Sequence, residues 1–247
     1  MSSSPSLFLI GPGFIGQALL SLLLTDPAKY AITTMVRRKE HGAQLEKQGF
    51  KVIYGDLHDH DAIAQQTASS DIVFHTATAD DMPSVLAVLD GIKKRAKDGK
   101  STMYIHTSGT SLLADGAKGM FRSDKVYSDA TREEIDSLPD SAPHRSIDLA
   151  IVKAQQELGD KAKVAIVAPP LIYGYNKGNG RLSIQLPALV KFAVKHGYGG
   201  YVGRGESVWS TVHVNDLARG YVAILVCSAE CVMMKRGQGV LMRDIAA

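Results

Sequence analysis

Cysteine is scarce in this chain. Two of 247 residues, Cys227 and Cys231, cannot build a disulfide framework. A zinc site needs two more ligands close by, and the eight histidines are scattered, so no metal is predicted and both thiols read as reduced. Charge of one sign is also lacking. Twenty-eight Lys and Arg against 25 Asp and Glu leave +3, with no long basic run carrying interleaved aromatics, which excludes a nucleic-acid-binding surface. No apolar run is long enough to span a bilayer. The opening MSSSPSLFLIGPG has no basic stretch, and its apolar run is broken by Gly11 and Pro12. Neither a membrane span nor a signal peptide is expected, and a cytoplasmic location follows. What remains, a chain 45% hydrophobic, suits one large α/β domain or one domain with a small appendage.

Short β-rich runs alternate with helical patterns. The predicted strands are SLFLIG (6–11), AITTMV (31–36), FKVIYG (50–55), DIVFHTA (71–77), TMYIHTS (102–108) and KVAIVAP (163–169). Each is rich in Val, Ile, Phe, Tyr or Thr and has Gly, Pro or Asp near its ends. Between them lie helical patterns such as 14–24, 61–68 and 82–97. Near-continuous apolar strands alternating with helices predict a parallel sheet covered on both faces. Residues 109–146 form a long excursion with little periodicity, of the kind that is usually functional or mobile.

GPGFIG (11–16) is G-x-G-x-x-G, placed after a predicted strand and opening a predicted helix. Gly11 permits the tight turn and Gly13 lets backbone approach a pyrophosphate. Gly16 lets the helix pack close to the strand, and phosphate sits at the helix N-terminus beside Phe14 and Ile15. At the end of the second strand an acid would favour NAD. Here the sequence is TMVRRKE, and Arg37 and Arg38 suit the extra phosphate of NADP(H). Asp56 and Leu57 follow the third strand, where they would reach adenine. Thr76 and Ala77, with His75 before them, follow the fourth strand, near the diphosphate and the nicotinamide ribose.

These residues carry a family likeness. GPGFIG, GDL (55–57), HTA (75–77), IHTSG (105–109), APPLIYG (168–174) and VHVNDLA (212–218) occur in the order of the extended and atypical short-chain dehydrogenases/reductases. The chain resembles that group, which holds NAD(P)-dependent epimerases/dehydratases and NmrA-like proteins. The resemblance implies a doubly wound Rossmann domain over 1–173. A small, short C-terminal substrate lobe over 174–247 is interleaved with the last Rossmann elements. It adds Pro170 and Ile172 to the cofactor contacts and implies hydride chemistry on nicotinamide.

In that family a hydroxyl after the fifth strand holds the substrate oxygen, and a Tyr-x-x-x-Lys on the next helix supplies a proton donor and a ribose-binding lysine. Carried over, Thr107 and Ser108 are the hydroxyls, and Lys153, followed by Glu157, is the lysine. The tyrosine position is then Leu149. The literal Tyr173–Lys177 spacing falls after the sixth strand, on the wrong element. Two replacement donors present themselves: His144, four residues before Asp148 and so able to face it across one turn, and Tyr127 on the excursion. His213 is assigned a structural role, and Trp209 lines the pocket or the core.

The sequence thus predicts an NADPH-dependent oxidoreductase acting on a small, largely apolar carbonyl metabolite. The alternatives are a non-redox isomerase, cyclase or dehydratase on the same scaffold, or an NmrA-like dinucleotide-binding regulator. A small-molecule substrate and a possible homodimer are the partners expected.

Overall fold

The computed structural model describes residues 4–25, 29–130 and 132–230. Six strands form one parallel sheet: β1 (Ser6–Ile10), β2 (Ala31–Val36), β3 (Lys51–Tyr54), β4 (Ile72–His75), β5 (Thr102–Thr107) and β6 (Ala162–Val167), in the order β3-β2-β1-β4-β5-β6. The chain runs outward from β1 through β2 to β3, then returns to place β4 on the other side of β1. That reversal opens a crevice beyond the carboxyl ends of β1 and β4.

Alternation along β1 sorts the core into two layers. Leu7 and Leu9 face α1 (Phe14–Leu23) and α8 (Val214–Glu230), meeting Leu19, Leu20, Leu217 and Tyr221. Phe8 and Ile10 face the opposite layer, whose buried side chains come from α3 (His60–Ala68), α4 (Met82–Lys97) and α6 (Arg145–Leu158). α4 opens with an Asp81 cap that accepts from the Ser84 amide at 2.9 Å, and Pro83 stands in its first turn.

The expected doubly wound α/β class is what the chain builds, and all six predicted strands appear within two residues of their expected bounds. The pattern left out α2 (Lys39–Lys47) and α7 (Gln185–His196). The excursion holds a 3-10 turn at Thr110–Leu113 and the short α5 (Arg132–Asp136) before α6 begins. After β6 come β7 (Leu171–Tyr173), the β8 (Tyr175–Asn176) and β9 (Arg181–Leu182) ribbon, α7, and β10 (Thr211–His213), which pairs in parallel with β7. α8 then returns to the main sheet and buries Leu217, Tyr221 and Leu225 there. Cys227 is exposed. Cys231 and the short tail after it lie outside the described residues.

Candidate active site

A cleft of about 940 Å³ lies at the β1/β4 reversal. Gly11 there has φ +89°, and a Cβ on it would lie 2.5 Å from the Ala77 Cα and amide nitrogen. A Cβ on Gly16 would lie 2.3 Å from the Gly11 carbonyl oxygen. Both positions therefore need glycine, one for backbone conformation and close approach, the other for helix packing. Gly13 differs. A Cβ there would meet only the Arg181 guanidinium, at 3.8 Å, so the space beside it is open. No side chain caps α1 at Gly13, and Phe14 and Ile15 of its first turn line the cleft. The Thr76 hydroxyl donates to the Gly11 carbonyl at 2.8 Å and fastens the turn. An open glycine beside an uncapped helix N-terminus fits a pyrophosphate.

Arg37 and Arg38, both exposed, stand on the cleft wall with His41 of α2 and Arg181 of β9. Burial lowers the His41 pKa, and the Arg38 and Arg181 charges lower it further, so three basic groups share one corner. Sequence spacing gave no hint of Arg181. It is brought in by a glycine-rich loop in which Asn176 Nδ2 donates to the Phe14 carbonyl at 2.7 Å and Asn179 Nδ2 to the Gly13 carbonyl at 3.1 Å. Asp56 and Leu57 line the same end. The Asp56 carboxylate accepts from the His58 amide at 2.8 Å, and the Asp56 amide donates to Asp59 at 2.7 Å. Asp59 thus secures that loop, and its side chain does not cap α3.

At the other end the cleft reaches Thr107, Ser108, Pro170 and Ile172, with Ala77 and Thr76 between. Thr107 Oγ1 lies 2.6 Å from the Tyr221 hydroxyl of α8. Ser108 donates to Asp148 Oδ2 at 2.8 Å. A second cavity of about 590 Å³ shares Pro169, Pro170 and Gln185 with the first, and its wall includes Ser111, Tyr127 and Trp209.

Two sequence-based placements need correction. His144 is not oriented by Asp148: its Nδ1 lies 2.6 Å from Asp80 Oδ1 and its Nε2 2.6 Å from Ser111 Oγ. His144 is the residue before α6, with left-handed backbone, so helical i,i+4 geometry does not bring the two together as expected. Lys153 is exposed and does not line the cleft. α6 turns Ile147, Asp148, Ile151 and Ala154 inward, and Lys153, two residues beyond Ile151, sits about 200° round the helix. The residue of α6 that reaches Ser108, just after β5, is therefore Asp148, while Leu149 is half-buried beside it. Tyr173 packs edge-on against His213 at 5.3 Å, and neither it nor Lys177 lines either cavity. His75 is buried, bonded to Ser84 at 3.1 Å, and burial lowers its pKa to about 4, so it is neutral at physiological pH.

Burial raises the Asp148 pKa, against the opposing pull of the Ser108 hydrogen bond and of His144 and Arg145. Its Oδ1 is buried without a partner among the described residues. A raised native pKa means that the folded chain binds more protons than the unfolded one. The stability Asp148 contributes is full below the ordinary carboxylate range and is lost as pH rises through the native value. Asp148→Asn stays neutral at every pH. It is expected to raise thermal stability over wild type near pH 7, with the gap closing near pH 3. Thermal unfolding followed against pH measures this; parallel curves would show that Asp148 binds its proton equally well in the folded and unfolded chain.

The model of the NAD-dependent epimerase/dehydratase family matches residues 9–230. The chain belongs to that family. The Acremonium oxidase ucsJ is 29% identical over 223 residues, covering 86% of this chain and 63% of that protein. Two solved structures share the fold. WbmH of Bordetella bronchiseptica, crystallised with NAD+, has a TM-score of 0.54 at 19% identity, over 90% of this chain and 73% of that one. The UDP-glucose 4-epimerase of Thermotoga maritima has a TM-score of 0.59 at 17% identity, over 94% and 74%. The chain spans less than two thirds of the length of the curated relatives it matches.

Proposed function

We propose that this family member is an NADPH-dependent oxidoreductase that reduces the carbonyl of a small, largely apolar metabolite. The observation that carries the reading is the meeting of two cavities at Pro169 and Pro170. One is built around an open glycine at a helix N-terminus, and the other sets Leu113, Val126, Val208 and Trp209 beside polar Ser111 and Tyr127 and charged Asp115, Arg122 and Lys125. The first suits a dinucleotide laid across the sheet. Its Arg37, Arg38 and Arg181 corner favours the additional phosphate of NADP. Thr76, Ala77, Pro170 and Ile172 would flank the nicotinamide half, and Asp56 and Leu57 the adenine. The bound dinucleotide supplies hydride; the chain's part is to hold the carbonyl beside it and provide the proton.

The similarity to a named oxidase supports redox chemistry. Leu149 at the tyrosine position favours a second reading, a non-redox isomerase or dehydratase that keeps the dinucleotide bound. Mass spectrometry of the dinucleotide released on denaturing the purified protein, followed by a carbonyl panel, separates them. NADP is expected in the release, and small ketones or aldehydes are expected to consume NADPH. NAD in the release, with product formed and NADPH untouched, would favour the second reading.

A further inference from the structure

We propose that Ser111, His144 and Asp80 form a proton-transfer triad that does the work of the missing tyrosine. The inference rests on the carbonyl-reducing reading above, and it names residues that no motif marked. Ser111 stands on the wall of the second cavity, where a substrate would lie. Its Oγ is 2.6 Å from His144 Nε2, and the other ring nitrogen is 2.6 Å from Asp80 Oδ1. Both ring nitrogens are thus committed, which fixes the direction of proton flow. Serine, imidazole and carboxylate in series are recognised by this geometry and not by their order in a chain.

The backbone gives an independent sign. His144 has φ +66°, and Lys118 is the only other non-glycine residue with positive φ among the described residues. A side chain held in that region is strained, and such strain collects at functional sites. Gly109 leaves room for the ring: a Cβ there would lie 3.2 Å from His144 Nε2. The His144 side chain is 15% exposed and that of Asp80 70%, so the imidazole is sheltered while its carboxylate partner faces water. The groups that interact with the ring are Asp80 from the β4–α4 loop, Ser111 after β5, His106 of β5 and Asp148 of α6.

The step balances as follows. Hydride from the reduced nicotinamide dinucleotide forms the new C–H bond at the carbonyl carbon. The carbonyl oxygen takes the Ser111 hydroxyl proton, and Ser111 takes the Nε2 proton of the His144 imidazolium. His144 is left neutral, its Nδ1–H donating to Asp80, and its Nε2 is reprotonated through the Ser111 hydroxyl by water that enters the second cavity once the alcohol has left. Carbonyl, hydride and one proton become an alcohol.

Ser111→Ala and His144→Ala are expected to lower turnover by about 10²-fold or more, with unchanged NADPH affinity. His144→Ala should also remove one limb of the pH–rate profile. Ser111→Thr, which restores the hydroxyl, should recover most of the rate. The second readout needs no cofactor. Nitrogen-15 NMR should show His144 Nδ1 carrying a hydrogen-bonded proton in the wild type, with that signature lost in Asp80→Ala. Full rate in both alanine variants, or an unchanged His144 Nδ1 signal in Asp80→Ala, would overturn the proposal. If wild type reduces no carbonyl, the reductase reading fails by itself, and the Nδ1 signal of the ring alone decides whether the triad exists.

Discussion

Replacing Arg37 and Arg38 together by alanine is expected to lower NADPH affinity by about a hundredfold and to leave NADH affinity nearly unchanged. Hydrogen bonds to a charged group contribute about 1.5–3 kcal/mol each. Both guanidiniums are exposed, so the lower end applies, and two such contacts give about 3 kcal/mol. Arg181 remains in the corner and keeps part of the attraction. Lys153→Ala is the natural control, because Lys153 is exposed and off the cleft wall; its affinity for both dinucleotides should match wild type. Titration calorimetry on the three proteins measures all of this. Equal loss of NADPH and NADH in the double variant would make the arginines general phosphate contacts, and a weakened Lys153 variant would restore the ribose role.

Tyr221→Ala is expected to destabilise the fold by about 3–5 kcal/mol, the range for deleting a large aromatic from a core. Tyr221 is fully buried and meets Phe74 edge-on with ring centroids 6.1 Å apart. Its hydroxyl is also the partner of Thr107, which lines the cleft 114 residues away in sequence. Tyr221→Phe keeps the ring and strands a buried hydroxyl, at about 1–3 kcal/mol. The pair of variants therefore separates packing from the anchoring of Thr107. Denaturant midpoints report both, and a Tyr221→Ala loss below about 1 kcal/mol would mean that α8 does not share the main core.

The sheet was legible because its signals are local. Runs such as AITTMV and TMYIHTS carry their own β preference, and GPGFIG carries its own turn, helix start and phosphate logic. The acid/base end was legible only in part. His144 stood out as a candidate, yet its carboxylate partner comes from 64 residues earlier and its hydroxyl partner from 33 residues earlier, both on loops without periodicity. Lys153 was misplaced for a subtler reason. The motif match fixed its distance from Leu149, but the inward face of α6 depends on packing by Ile147, Ile151 and Ala154 against the sheet, and that phase puts Asp148 at the site. Arg181 was invisible for the same reason as Asp80. Only the loop bonds of Asn176 and Asn179 bring it to the glycine turn.

The most direct measurement is the fate of a label. NADPH carrying deuterium at the transferable position of its nicotinamide ring is incubated with the wild-type protein and a panel of small carbonyl compounds, and the products are read by mass spectrometry. The expected result is an alcohol that carries the deuterium on its former carbonyl carbon, with matching formation of NADP+. A product that contains no deuterium, formed while NADPH stays intact, would contradict hydride transfer at this site.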